Sequence, residues 1–302
     1  MTEKTNKIDV FEKVNNYILA EMEKGIIPWE QTWFSESTYN IVSGKPYSFL
    51  NKLMLGRSGA WATFKQWKQL GGSVKKGEKA NAVCFWSFVN KEVEDEENPG
   101  EKINVKIPFL KYFNVFHFNQ IDWKDDVVPE KVQKKLDAHT NGIRVSEVEA
   151  DEYAECIIKN FKTETHLEIE EDGDPSYSPS NDRVYCWSRD HFTNSSEYYS
   201  ALFHELGHST GHKDRLNRDL TGKFGSTKYA REELIAEITS SYMTTMLNLR
   251  TDKSARNNVA YCQSWSKKLK DDKKAFVVAA GRAEKAVDCI LTGKSVEDFV
   301  RA

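Results

Sequence analysis

The sequence predicts an α+β protein of two domains, an N-terminal unit mixing strands and helices and a C-terminal unit that is mainly helical. Three observations predict it. The 302 residues exceed the usual single-domain length of roughly 100–150. Short β-branched and aromatic runs alternate with helical periodicities in the first part of the chain, whereas helical patterns dominate the second. Between them a charged stretch, Asp125 to Gly142, contains a proline and an Asn-Gly pair and reads as a connection. The expected domains are therefore residues 1–127 and 146–302, with 128–145 as linker.

The elements follow in order. Val10, Phe11, Val14, Ile18, Leu19 and Met22 take the spacing of one helical face, and Gly25 stops the helix. Pro28 to Tyr47 is aromatic-rich and broken by turns, and a short helix follows over Asn51 to Gly56. Thr63 to Leu70 reads as a helix ended by Gly71-Gly72. Val83 to Val89 and Ile103 to Phe118 read as strands. Glu92 to Glu101, with six acids around Asn98-Pro99-Gly100, reads as a solvated hairpin tip. Beyond the connection, Val148 to Phe161 is a helix and Leu167 to Glu171 a strand. Asp172 to Asp182 is loop, and Arg183 to Trp187 is a strand. Asn194 or Ser195 caps a helix that runs to about Thr210 and stops at Gly211. Helices over about Arg231 to Leu247 and Ala275 to Leu291 complete the chain. No internal repeat is present.

Composition excludes several classes. Hydrophobic residues at 39% and charged residues at 29% suit a globular chain rather than a disordered one. No apolar run approaches the roughly 18–20 residues of a membrane helix, and Met1 to Asp9 is polar, so a cytoplasmic protein without a membrane partner is expected. The five cysteines, Cys84, Cys156, Cys186, Cys262 and Cys289, are scattered and form no CxxC pair, which fits reduced thiols. The net charge of −3 conceals a basic field: Lys45 to Lys79 holds eight basic residues against one acid, Glu78.

The sharpest chemical signal is His204-Glu205-Leu206-Gly207-His208. Two histidines one helical turn apart present two nitrogens to one metal ion, and Glu205 between them is placed to act as general base. Incidental surface histidines are the bland alternative. The capped helix and the neighbouring Ala201, Leu202 and Phe203 argue instead for a core-facing site. A catalytic zinc takes three protein ligands and keeps one position open. His212 lies just past Gly211 and must reach back across a tight turn. Glu233, 25 residues beyond His208, lies in Glu233-Leu234-Ile235-Ala236-Glu237, which resembles the second-helix segment of gluzincin-type peptidases. That resemblance implies Glu233 as third ligand and Glu237 as acceptor of a ligating histidine's other N–H. Glu232, Glu237 and His212 remain alternatives. One Zn2+ per chain, with Glu205, would activate water for peptide hydrolysis. His212, Tyr229 and Tyr242 are candidate oxyanion donors, and Arg183 to Trp187 is a candidate edge for an extended peptide.

The basic field also carries aromatics, the combination that binds single-stranded nucleic acid. Lys45, Tyr47, Arg57, Trp61, Lys65, Trp67, Lys75, Lys76 and Lys79 are the candidate contacts. Trp61, Phe64 and Trp67 at helical spacing equally suit a core.

The run Trp61 to Lys79, followed by Val83-Cys84-Phe85-Trp86 and by Tyr112 to Gln120, resembles the N-terminal domain of ArdC-type antirestriction proteins. Tyr177 to Arg183, Tyr198 to His212, Tyr229 to Leu234 and Ser264-Trp265 through Ala275 are similar to that family's zincin-like metallopeptidase domain. The resemblance implies an N-terminal domain that binds single-stranded DNA and a C-terminal zinc peptidase-like domain. It further implies carriage on plasmids, phages or other mobile elements, and protection of incoming DNA from restriction. One departure stands out: Tyr47-Ser48-Phe49-Leu50-Asn51 replaces the family's Tyr-Arg-Gly-x-Asn and loses a basic residue and a glycine. Two rival readings are a non-enzymatic DNA-binding shield with a structural zinc, and a processing or toxin-like peptidase whose N-terminal domain recognises protein.

Overall fold

The computed structural model describes residues 10–30, 38–94, 102–139, 147–222, 226–249, 265–267, 269–270 and 272–293. Residues 95–101 of the expected acidic tip, Asn141-Gly142 of the connection, and Cys262 lie outside them. Helix and sheet are mixed in the order α1 (Val10–Glu23), β1 (Thr38–Asn40), α2 (Phe49–Leu55), β2 (Gly59–Thr63), α3 (Phe64–Leu70), β3 (Gly72–Val74), β4 (Asn81–Glu94), β5 (Lys102–His117), β6 (Ile121–Trp123) and α4 (Glu130–Asp137). The chain continues with α5 (Glu147–Thr165), β7 (Glu168–Glu170), β8 (Ser176–Ser178), β9 (Arg183–Tyr185), α6 (Ser195–Ser209), α7 (Thr227–Met246) and α8 (Ala275–Thr292).

The N-terminal sheet has the strand order β1-β2-β5-β4, with β1 and β2 parallel and the rest antiparallel. The two long strands pair from Asn81↔Val115 to Glu94↔Lys102. Helix α3 starts on a capping box: Gln66 N–H donates to Thr63 Oγ1, and Thr63 N–H donates to Gln66 Oε1. It ends at Gly71 in the left-handed conformation. His117 closes β5 as a buried neutral ring. Asn119 N–H donates to its Nδ1 at 3.1 Å and Ser58 O lies 3.0 Å from its Nε2. Burial and the neighbouring Arg57 charge push its pKa down to about 4. Gly59 (φ +112) makes room, since a Cβ there would stand 2.7 Å from His117 Nε2.

Several elements differ from the sequence expectation. Residues 130–137, expected within a linker, form α4, because Val132 is buried with Tyr39, Trp67 and Ile121 in the core of the N-terminal sheet. Arg183–Tyr185 is not an edge: β9 lies between β7 and β8, so β8, expected as loop, is an outer strand. Trp61, Trp67 and Tyr47 are 1%, 0% and 6% exposed, so none presents a face for stacking. Trp67 Nε1–H donates to Phe116 O at 2.9 Å from inside that core.

The two halves share a core. Val14 and Ile18 of α1, Trp29, and Phe49 and Leu53 of α2 pack with Leu234, Ile235 and Ile238 of α7 and Phe276 and Ala283 of α8. Trp29 and Phe276 ring centroids are 5.3 Å apart, and the Ser241 hydroxyl donates to Trp29 O. A second cluster joins Phe161, Val184, Phe203, Leu206 and Ile290 beneath α6. Helix α6 is thereby fixed from below and α7 from its far side.

Candidate metal centre

Two capped helices build the site. Asn194 Oδ1 accepts from Glu197 N–H at 3.0 Å to start α6, and Ser226 Oγ accepts from Tyr229 N–H at 3.2 Å to start α7 at Thr227, ahead of the expected Arg231. They cross at Gly207, where a Cβ would stand 3.1 Å from Ala236 Cα and 3.3 Å from Thr239 Cβ. The glycine inside the HELGH segment therefore sets the helix separation.

Across this contact the structure brings together His204, His208 and Glu233, whose ligand atoms all lie within 4.8 Å of one another. Glu233 Oε2 is 3.6 Å from His204 Nε2, and its Oε1 is 3.3 Å from His208 Nε2. Ligands at 2.0–2.2 Å in a tetrahedron stand about 3.3 Å apart, so the donor set fits a divalent metal. The remaining ring nitrogens face carboxylates: His204 Nδ1 is 3.3 Å from Glu237 Oε2, and His208 Nδ1 is 3.4 Å from Glu232 Oε1. Such partners fix the tautomer that directs Nε2 inward.

These carboxylates favour protonated rings. Burial disfavours a charged His204, but hydrogen bonds to Glu233 and Glu237 and the Glu237 and Glu205 charges outweigh it and push its pKa up to about 10. His208 is raised in the same way, through Glu232 and Glu233. Glu233 is held well below the usual carboxylate range because its histidine partners outweigh its burial. Glu205 shifts upward through burial, opposed by His204, His208 and a backbone hydrogen bond from Tyr177 on β8.

Two buried arginines, with no motif to announce them, brace the surroundings. Arg218 donates to Glu232 from Nε at 3.0 Å and Nη2 at 2.6 Å, and also binds Thr210 Oγ1 and Gly207 O. Arg215 forms a two-pronged pair with Asp182, binds Ser209 O at 2.7 Å and meets the Tyr177 hydroxyl at 3.3 Å, tying β8 to the end of α6. Of the other sequence candidates, Tyr229 hydrogen-bonds Glu233 and has its pKa pushed up to about 12, chiefly by burial. His212 turns to Asp214 at 3.4 Å and Asp182 at 3.9 Å. Tyr242 packs on Phe49 at 5.0 Å and under Lys52, within the shared core.

The chain matches known families in both halves. Residues 8–116 match the N-terminal domain of anti-restriction factor ArdC, and residues 152–282 match a zincin-like metallopeptidase domain, which implies a metal. An uncharacterised protein y4eC of Sinorhizobium fredii is 29% identical over 93% of this chain and 91% of its own length. A DNA primase TraC of Escherichia coli is 34% identical, but the chain spans only 20% of it. The antirestriction protein ArdC of plasmid R388, solved metal-free and with Mn(II), superposes with a TM-score of 0.68. The metal-free form is 33% identical over 94% of this chain and 97% of that one. With similarity extending over almost all of both chains, this protein belongs to the ArdC antirestriction family.

Proposed function

We propose that this protein acts in antirestriction, binding single-stranded DNA through its N-terminal half and hydrolysing a peptide bond at a zinc centre held by His204, His208 and Glu233. The observation that carries the reading is the interlocked set in which Glu233 bridges both Nε2 atoms while Glu237 and Glu232 take the two Nδ1 atoms. A divalent metal held there supplies a Lewis acid for a peptide carbonyl and for the attacking water.

The chain's own groups do the rest. Glu205 takes the proton from that water and later returns it to the leaving amine. Tyr229, with its hydroxyl beside Glu233, is the nearest candidate donor to an oxyanion. Arg215 and Asp182 hold β8 so that the Tyr177 backbone meets Glu205. Zinc suits the two-imidazole, one-carboxylate set, although Mn(II) occupies a relative. Among the described residues no helix is long and apolar enough to cross a membrane, and a cytoplasmic setting suits the scattered thiols.

Elemental analysis of wild type, His208→Ala and Glu233→Ala tests the centre. One equivalent of zinc, lost in both variants, is expected; undiminished metal in either variant would refute the ligand set. Glu205→Gln is expected to keep the metal and abolish hydrolysis. Full antirestriction by that variant would favour a DNA-binding shield with a structural metal.

A further inference from the structure

Among the described residues of the N-terminal sheet, three aromatic side chains are exposed: Phe85, Phe113 and, on the opposite face, Tyr112. Phe85 on β4 and Phe113 on β5 are 44% and 45% exposed. Phe85 and Phe113 share one face, because Val83 is the cross-strand partner of Phe113 and side chains two apart on a strand point the same way. Their rings meet edge to face with centroids 5.8 Å apart. Lys111, the cross-strand partner of Phe85, is exposed on that face. Phe85 leans on Tyr47 at 6.2 Å, which is buried with Trp61, Val83 and Val115. The pair is thus anchored from beneath.

The same face continues along β5 to His117, about 13 Å of strand beyond Phe113, and there cations gather. The His117 contact with Ser58 O brings Arg57 to this end. Lys75 Nζ donates to Asn119 O at 3.0 Å, and Gln120 Nε2 donates to Lys79 O at 3.0 Å, which docks the Lys75–Lys79 turn beside it. Gly77 (φ +90) shapes that turn, which Glu78 N–H closes onto Lys75 O at 3.2 Å. Arg57, Lys75, Lys76 and Lys79 are exposed, and Glu78, the acid among them, is tied to Gln120 at 2.8 Å. The far end of the same hairpin is acidic, from Glu92 onward, so attraction for an anion is confined to the near end.

Exposed phenyl rings beside lysines match a partner that is apolar on its faces and anionic along its backbone. Resting on the DNA-binding reading above, we infer that Phe85 and Phe113 form the base-stacking platform for single-stranded DNA, with Lys111 and the Arg57–Lys79 cluster on its phosphates. The buried Trp61 and Trp67 hold the platform and touch no base.

Binding of a fluorescent oligothymidylate to the full chain across salt concentrations tests this. Phe85→Ala and Phe113→Ala should each weaken binding about 5- to 150-fold while leaving the salt slope unchanged. Phe85→Tyr should retain affinity. Lys75→Ala with Lys76→Ala should flatten the slope. Photocrosslinking of a 5-iodouracil oligonucleotide to wild type, which needs no variant to fold, should label Phe85 or Phe113. Wild-type affinity in both alanine variants, or a crosslink confined to other residues, would overturn the platform and leave DNA binding intact. No oligonucleotide binding by wild type at low salt would overturn both. Loss of a wild-type dimer in the alanine variants, with DNA affinity kept, would assign the rings to a second copy of the chain and overturn the platform.

Discussion

Arg218 touches none of His204, His208 and Glu233, yet it holds the carboxylate that faces one of them. Its guanidinium clamps both Glu232 oxygens, and Glu232 faces His208 Nδ1. A lysine keeps the charge but cannot span two oxygens while also reaching Thr210 and Gly207. Arg218→Lys is therefore expected to weaken metal binding about 10- to 100-fold, measured by competition with a chromophoric chelator. Unchanged affinity would show that Glu232 holds its place unaided. His204, Glu205 and His208 are legible in the sequence because helical spacing alone puts the two histidines on one face. Arg218 is not, since its role depends on how the chain after Gly211 folds back over α6. Trp61 and Trp67 misled for a related reason: an aromatic beside lysines carries no mark of which way it faces, and both turn inward.

The α6–α7 crossing is the element on which the centre depends. The two histidines ride on one helix and the three glutamates on the other, so a change in separation alters every histidine–glutamate distance together. Gly207→Ala places a methyl against Ala236 and Thr239, and overpacking of this kind costs about 1–3 kcal/mol. Lower thermal stability in the presence of chelator, together with weaker metal binding, is expected; retention of both would show that the helices part without strain. The long helices are readable from periodicity and caps. Strands β7 and β9 fall within the expected strands Leu167 to Glu171 and Arg183 to Trp187, but β8 is hidden in the expected loop, because so short a segment shows no alternation, and which strand is edge or centre is settled by partners far away. Helix α4 escaped notice because its charged surface resembles a linker, with only Val132 buried.

At the scale of the whole molecule, two family units stand on one core. Composition changes near Asp125, which is why the sequence divides there, but α1, Trp29 and α2 cover the apolar side of α7 and α8. A fragment of residues 146–302 would expose Leu234, Ile235, Ile238 and Phe276 to water. It is expected to be protease-sensitive and to bind metal poorly, as limited proteolysis and elemental analysis would show. A folded fragment with one equivalent of metal would contradict this. The shared core also sets an order of events during synthesis. About 250 residues separate the end of α1 from the start of α8, and at about 5–20 residues per second a ribosome takes roughly 12–50 s to cross them. Throughout that interval the apolar stripe of α1 meets Trp29 and α2 but lacks α8, and a chain stopped before α8 would hold HELGH without its finished scaffold. Synthesis of α8 is then itself the step that licenses the site.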